Sequence, residues 1–211
     1  MSNPLLSQYL ENVRSALSLI DLRSITDAGE LIEQAFRSGS TVYVFGNGAS
    51  AALASHMACD LSKGTSAGDL GLGPKSKSAR RLRIIALNDC IPLVTAIGND
   101  VSYSDIFLEP LKSLLRNDDV VIGISGSGGS TNVLRALEYA QVADAHTISF
   151  TGAQENAALI RRYSDVCVAA PVTSIEQIED LHVVFLHLLV ILLRERFQEN
   201  RESGIQLQTS D

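Results

Sequence analysis

Five short apolar runs limit what this chain can fold into: TVYVF (41–45), LRIIAL (82–87), VVIGI (120–124), HTISF (146–150) and DVCVA (165–169). Each is β-branched or aromatic in character and has the length of a strand. They read as continuous apolar stretches with little alternation, the pattern of strands buried on both faces. Helical periodicity follows most of them, near 50–62, 102–115, 130–143, 153–162 and 174–198. Strands alternating with helices predict βαβ units and a parallel sheet covered on both sides. Two helices precede this pattern. Apolar residues recur at helical spacing over 5–17 and again from Leu22 to Phe36, and Gly39 stands where a C-terminal cap belongs.

The expected organisation is one domain over 1–211: N-terminal helices in 1–39, an α/β core in 40–198 and a flexible tail in 199–211. The stretch 62–81, SKGTSAGDLGLGPKSKSARR, reads as a long irregular loop, either functional or a solvated insertion. A net charge of -7 disfavours nucleic acid as a partner. The longest apolar run, LHVVFLHLLVILL (181–193), is shorter than a membrane span and carries two histidines, so a buried or interfacial helix is expected and no membrane association. The N-terminus has no signal-peptide pattern. Three widely spaced cysteines fit a reducing cytoplasm.

Two loops carry the chemistry. GNGAS (46–50) follows the first strand and SGSGGS (125–130) follows the third. In open parallel sheets ligands bind beyond the carboxyl ends of the strands, where strand order reverses. In a 2-1-3-4-5 order both loops flank that point. Glycine lets backbone N–H groups approach a ligand, serine adds hydroxyl donors, and the following helix presents its N-terminus, so SGSGGS reads as a phosphate cradle. A tight turn capped by Ser130 or Thr131 is the alternative. No lysine follows the loop as a phosphate-binding Walker motif requires, and Ala51 stands where a dinucleotide fingerprint needs glycine, so no nucleotide cofactor is expected.

Charged residues gather on two helices. His56 and Asp60 share a face, as a pair for proton transfer or metal, or as an ordinary surface pair. Glu176, Glu179, Asp180, His182 and His187 lie at or near the start of the last helix, and both imidazoles are expected to be buried or interfacial.

Taken together, VFGNGAS (44–50), SHMACDL (55–61), TAIGND (95–100), ISGSGGSTNV (124–133), FTG (150–152) and SIEQIEDLHVVFLH (174–187) resemble the sugar isomerase (SIS) domain family, in its phosphoheptose isomerase branch. The resemblance implies a flavodoxin-like five-stranded parallel sheet of order 2-1-3-4-5, a cytoplasmic homotetramer with active sites shared between subunits, and isomerisation of sedoheptulose 7-phosphate to an aldose phosphate through an enediol. By position, Ser125, Ser127 and Ser130 would hold the phosphate, and Asn47, Gly48, Ser50, Asp100 and Glu176 the sugar. Asp60 and His187 would fall at the acid–base positions, with Glu179 as a further candidate base. His56, Asp60, Glu179 and His187 would match the zinc site of some members. The chain departs from the branch at Asp60, usually Glu, at Glu179, usually Gln, and at Gly64, usually Arg. The other functional reading is a non-catalytic sugar-phosphate-binding regulator or scaffold. Lyase or epimerase chemistry through the same enediol is a third.

Overall fold

The computed structural model describes residues 3–64 and 81–202. Two helices come first, α1 (Pro4–Leu17) and α2 (Leu22–Ser38), each opened by a side-chain cap, Asn3 and Asp21. Gly39, in the left-handed conformation at φ 83°, ends α2. The α/β portion follows as β1 (Thr41–Gly46), α3 (Ala49–Gly64), β2 (Arg83–Ala86), α4 (Ile91–Asp100), α5 (Leu108–Leu114), β3 (Val120–Ile124), α6 (Thr131–Val142), β4 (His146–Thr151), α7 (Ala157–Arg161), β5 (Val166–Ala169) and α8 (Ile175–Glu202).

The five strands form one parallel sheet in the order β2-β1-β3-β4-β5, the order expected for this fold. In the register, Gly46 pairs with Ile124, so the glycine-rich ends of β1 and β3 lie side by side. Strand alternation divides the core in two. Val42, Val44, Ile122 and Ile148 pack with Ile32 of α2, Met57 of α3 and Phe185 and Leu189 of α8. Tyr43, Phe45 and Val121 face the other way, onto Ile97, Phe107, Leu111 and Leu137.

Some boundaries differ from those the sequence suggests. The helical stretch expected near 102–115 is instead a helix at 91–100, a single 3-10 turn at 103–105 and a short helix at 108–114. Pro92 sits in the first turn of α4, where its missing N–H is harmless, so proline starts this helix. The helix expected over 153–162 shrinks to Ala157–Arg161. Its leading residues are tied to the β5–α8 connection instead, through the bonds Ala153 N to Val172 O (2.9 Å) and Gln154 Nε2 to Thr173 O (2.9 Å). Helix α3 runs on to Gly64, so 62–64 are helical, and α8 continues to Glu202, so 199–202 belong to it. The remainder of the expected 62–81 loop, residues 65–80, lies outside the described residues, as does the tail from 203.

Candidate active site

Both glycine–serine loops turn on a glycine in the left-handed backbone region, which few other residues adopt readily. Gly48 has φ +57°, a conformation costly for other residues, and its carbonyl accepts from Ala51 N and Ala52 N to start α3. Gly128 has φ +73°, and a Cβ there would stand 2.7 Å from the Ala157 backbone. A turn bond from Gly128 N to Ser125 O (3.0 Å) closes the second loop, while Ser125 N to Phe150 O (3.0 Å) and Gly152 N to Gly126 O (2.9 Å) pin it to the end of β4.

Ser130 takes the N-cap position of α6 yet makes no side-chain capping bond. Its hydroxyl accepts instead from the buried Ser125 hydroxyl at 3.0 Å. The Ser127 hydroxyl accepts from Gly129 N at 3.3 Å. The Thr131 and Asn132 amides in the first turn of α6 have no partner among the described residues, while Val133 N donates to Asn132 Oδ1 at 3.0 Å. The loop thus presents hydroxyls and backbone N–H groups at a helix N-terminus, which suits an anion.

A pair of side-chain amides joins the loops. Asn47 Nδ2 donates to Asn132 Oδ1, and Asn132 Nδ2 donates to Asn47 Oδ1, each at 2.9 Å. Tyr103 also donates to Asn47 Oδ1, at 3.1 Å. One Nδ2 hydrogen of Asn47 is left for a ligand. Asn88 does similar work below, donating to Gly46 O at 2.7 Å and accepting from Gly46 N at 3.2 Å. Asn88, Tyr103 and Asn132 are organising residues that sequence reasoning missed. Asn132 stood inside the quoted STNV motif, but its partner is 85 positions away. Asp100 ends α4, exposed and bonded to its neighbour Asn99.

Between α3 and α8 lies a cavity of about 210 Å³, lined by Ala49, Ser50, Ala52, Leu53 and His56 on one side and by Glu179, His182 and Val183 on the other. The serine loop abuts the start of α8: a Cβ on Gly126 would meet Ile175 and Ile178 at 3.4 and 3.5 Å. At its outer side His56 Nε2 lies 3.1 Å from Asp60 Oδ2, and the His56 and His187 rings meet edge to face, centroids 5.4 Å apart. His56, Asp60 and His187 each offer a ligand atom within 4.8 Å of the others, a set that a divalent cation could use. Glu179 is outside that group. It is two turns of α8 before His187, about 12 Å along the axis, and so lines the cavity.

The charges around this group are arranged unequally. Lys63 Nζ is 3.4 Å from Asp60 Oδ1, and the hydrogen bond to Asp60 raises the Lys63 ammonium above its ordinary range. Asp60 therefore has a partner on each oxygen. Glu179 accepts no hydrogen bond from a described residue, although Tyr9 stands nearby, donating to Asp180. That bond, with burial and the neighbouring Glu176 and Glu179 charges, pushes the Tyr9 phenol up to about 12. Glu176 accepts from the Ser174 hydroxyl at 2.6 Å, which holds its carboxyl below the usual range.

Of the two imidazoles expected to be buried or interfacial, His182 is buried and His187 is exposed in the single chain. Burial of His182 lowers its pKa to about 4, opposed by its hydrogen bond with the Thr151 carbonyl.

Known proteins resemble this chain in sequence and in fold. The SIS domain model matches residues 8–152. The chain belongs to the SIS-domain family. Curated relatives within it are named phosphoheptose isomerases. A probable phosphoheptose isomerase of Thermoplasma acidophilum is 33% identical over 90% of this chain and 98% of its own length. The phosphoheptose isomerase of Aquifex aeolicus is 33% identical over 89% and 93%. The solved phosphoheptose isomerase structure from Francisella tularensis superimposes with a TM-score of 0.77 at 27% identity, covering 92% of this chain and 100% of that one. The one from Neisseria gonorrhoeae gives 0.77 at 26%, covering 90% and 97%.

Proposed function

We propose that this SIS-domain protein is a phosphoheptose isomerase that interconverts sedoheptulose 7-phosphate and an aldose phosphate through an enediol. The observation that carries the reading is an anion-suited serine loop packed against the start of α8, the helix whose Glu179 and His182 wall a cavity together with His56 of α3, on a chain whose relatives bear that name. Ser125, Ser127, Ser130 and the first amides of α6 hold the phosphate. Asn47, Gly48, Ser50, Asp100 and Glu176 are assigned to the sugar.

Aldose–ketose isomerisation needs a base for the proton on the carbon beside the carbonyl and an acid for the neighbouring oxygen. Glu179 is the favoured base, because it lines the cavity while both oxygens of Asp60 are engaged. Asp60 is also one methylene shorter than the Glu usual in this branch. His187 is the favoured acid, since an imidazole exchanges protons near neutral pH. His56, paired with Asp60, positions that carboxylate. His56, Asp60 and His187 fit a zinc ion in donor type and spacing; when bound, zinc would supply Lewis-acid stabilisation of negative oxygen. Zinc should raise the melting temperature of the wild type but not of His56→Ala.

We also assign a homo-oligomer, most simply the tetramer. Of α1, Ala16 is its one buried residue, while Leu5, Leu6 and Leu10 lie exposed, as do Val183 and Ile191 of α8. A second copy of the chain is the natural cover for these apolar stripes, and a monomer in light scattering at micromolar concentration would refute this. Three free thiols, two of them exposed, fit a reducing cytoplasm. Among the described residues no helix is long and apolar enough to cross a membrane.

The deciding experiment is NMR of sedoheptulose 7-phosphate and other sugar phosphates with the protein in deuterated water. An enediol route forms the aldose and places solvent deuterium on the carbon beside the carbonyl. Binding without exchange or turnover would instead make the chain a sugar-phosphate-binding protein.

A further inference from the structure

His182 has no place in the acid–base set above, yet it lines the same cavity. Its Nε2 lies 3.1 Å from the Thr151 carbonyl oxygen. A carbonyl can only accept, so Nε2 carries the proton, and in the neutral ring Nδ1 then holds a lone pair. Nδ1 has no hydrogen-bond partner among the described residues. Nor is it sealed from solvent, because the one unpartnered buried side-chain polar atom among the described residues is Thr151 Oγ1. Nδ1 therefore meets the cavity that His182 lines. The ring is held in place by Phe150 and Phe185, with centroids at 5.7 and 5.8 Å.

Much of the wall around it is apolar: Ala49, Ala52, Leu53 and Val183. An acceptor on such a wall is costly once water is displaced, unless the incoming molecule brings a donor. We infer that His182 Nδ1 is a fixed hydrogen-bond acceptor for a hydroxyl of the bound sugar phosphate, which makes His182 a specificity residue. This rests on the sugar-phosphate reading above and deepens it. A polyol chain supplies an O–H at that point. A carboxylate or phosphate oxygen does not, so an anionic group in this part of the cavity is disfavoured, which orients the phosphate toward the serine loop. A deoxy analogue would leave the buried acceptor unmatched, the kind of mismatch that gives strong discrimination.

The test begins with wild-type protein labelled with ¹⁵N-histidine and on the backbone, titrated with sedoheptulose 7-phosphate. The His182 Nδ1 resonance should start in the unprotonated range and move upfield at saturation, while Nε2 stays nearly fixed. Movement of the serine-loop amides with a stationary Nδ1 overturns the inference and leaves the isomerase reading intact. Silence of loop and imidazole alike sinks both. Two variants add a kinetic arm. His182→Gln puts an amide nitrogen near the Nε2 position, keeping the bond to Thr151 while losing the acceptor. His182→Asn keeps a polar group near Nδ1 and loses the Thr151 bond. The Gln variant should keep its melting temperature and lose about tenfold or more in kcat/KM. The Asn variant should melt lower and retain more of kcat/KM. The reverse order, or wild-type kcat/KM in His182→Gln, overturns the inference, and the wild-type titration decides if the Gln variant does not fold.

Discussion

Two faces of α8 carry the same side chain to opposite ends. His182 and His187 are five residues apart, about 140° around the helix. His182 is 1% exposed, fixed to a strand carbonyl and packed between two phenyl rings. His187 shares an open stripe with Val183 and Ile191, which are 37% and 61% exposed, and stands against His56 and Asp60. One imidazole is thereby held neutral with a fixed tautomer, and the other stands open beside two side chains that could share a metal with it. Burial decides which chemistry a histidine can perform, and on a helix burial is decided by rotation about the axis.

The sharpest way to break this comparison is His187→Asn, which keeps similar bulk and removes the proton shuttle. Turnover should fall about 100-fold or more, the usual scale for a lost general acid or base, with little change in melting temperature because asparagine keeps similar bulk and polarity. Steady-state kinetics beside a thermal melt checks both; retained turnover would make the two faces alike in having no proton-transfer role. Glu179→Gln, which restores the amide usual in this branch, should also cost turnover if Glu179 is the base, and a variant as fast as wild type would return that role to Asp60.

The buried face has its own signature in pH. The His182 pKa in the folded chain, about 4, lies below its ordinary 6.5. As pH falls through 6.5 the unfolded imidazole takes up a proton that the folded one refuses, so stability drops toward pH 4. Between pH 7 and pH 5 this one group should remove about 2 kcal/mol. Urea melts at both pH values should show a smaller loss for His182→Gln than for wild type. An equal loss in both would mean that burial does not hold the His182 imidazole neutral. The smallest effect concerns Thr151, whose buried hydroxyl has no partner among the described residues. Thr151→Val removes an unmatched polar atom at nearly constant volume, so stability should change by less than about 1 kcal/mol and more readily upward than downward. A large loss in the same melts would reveal a role for that hydroxyl in supporting the serine loop.

The sheet was legible because its three central strands are buried on both faces, which leaves β-branched runs such as VVIGI with little else to be. The two glycine–serine loops were legible for a related reason: Gly48 and Gly128 adopt backbone angles that few other residues tolerate. Helix α4 was not, since IPLVTAIGND lacks a polar face and contains both Pro92 and Gly98, so neither periodicity nor propensity marks it. Within the site, His56 and Asp60 were readable as neighbours from helical spacing. The approach of His187 to them was not readable from spacing, because it depends on how α8 crosses α3. The Asn47–Asn132 pair and the His182–Thr151 bond are likewise contacts of tertiary structure with no local trace. The apolar run did not tell the two imidazoles apart, because it records burial somewhere, including burial by another subunit, and does not say which face is turned inward.

The amide pair that joins the two loops also bears on how this molecule ages. Asn47 precedes Gly48, and asparagine before glycine is the dipeptide most open to succinimide closure and loss of the side-chain nitrogen, because no Cβ shields the attacking backbone amide. Here the carboxamide is clasped by Asn132 and Tyr103, and ring closure requires it to turn away from both. An aspartate formed at this position would set a negative oxygen against the Asn132 carbonyl oxygen, where a donor had been. Deamidation at Asn47 is thus gated by the opening of the loop pair, and its slow accumulation in stored protein keeps time for how often the two loops come apart.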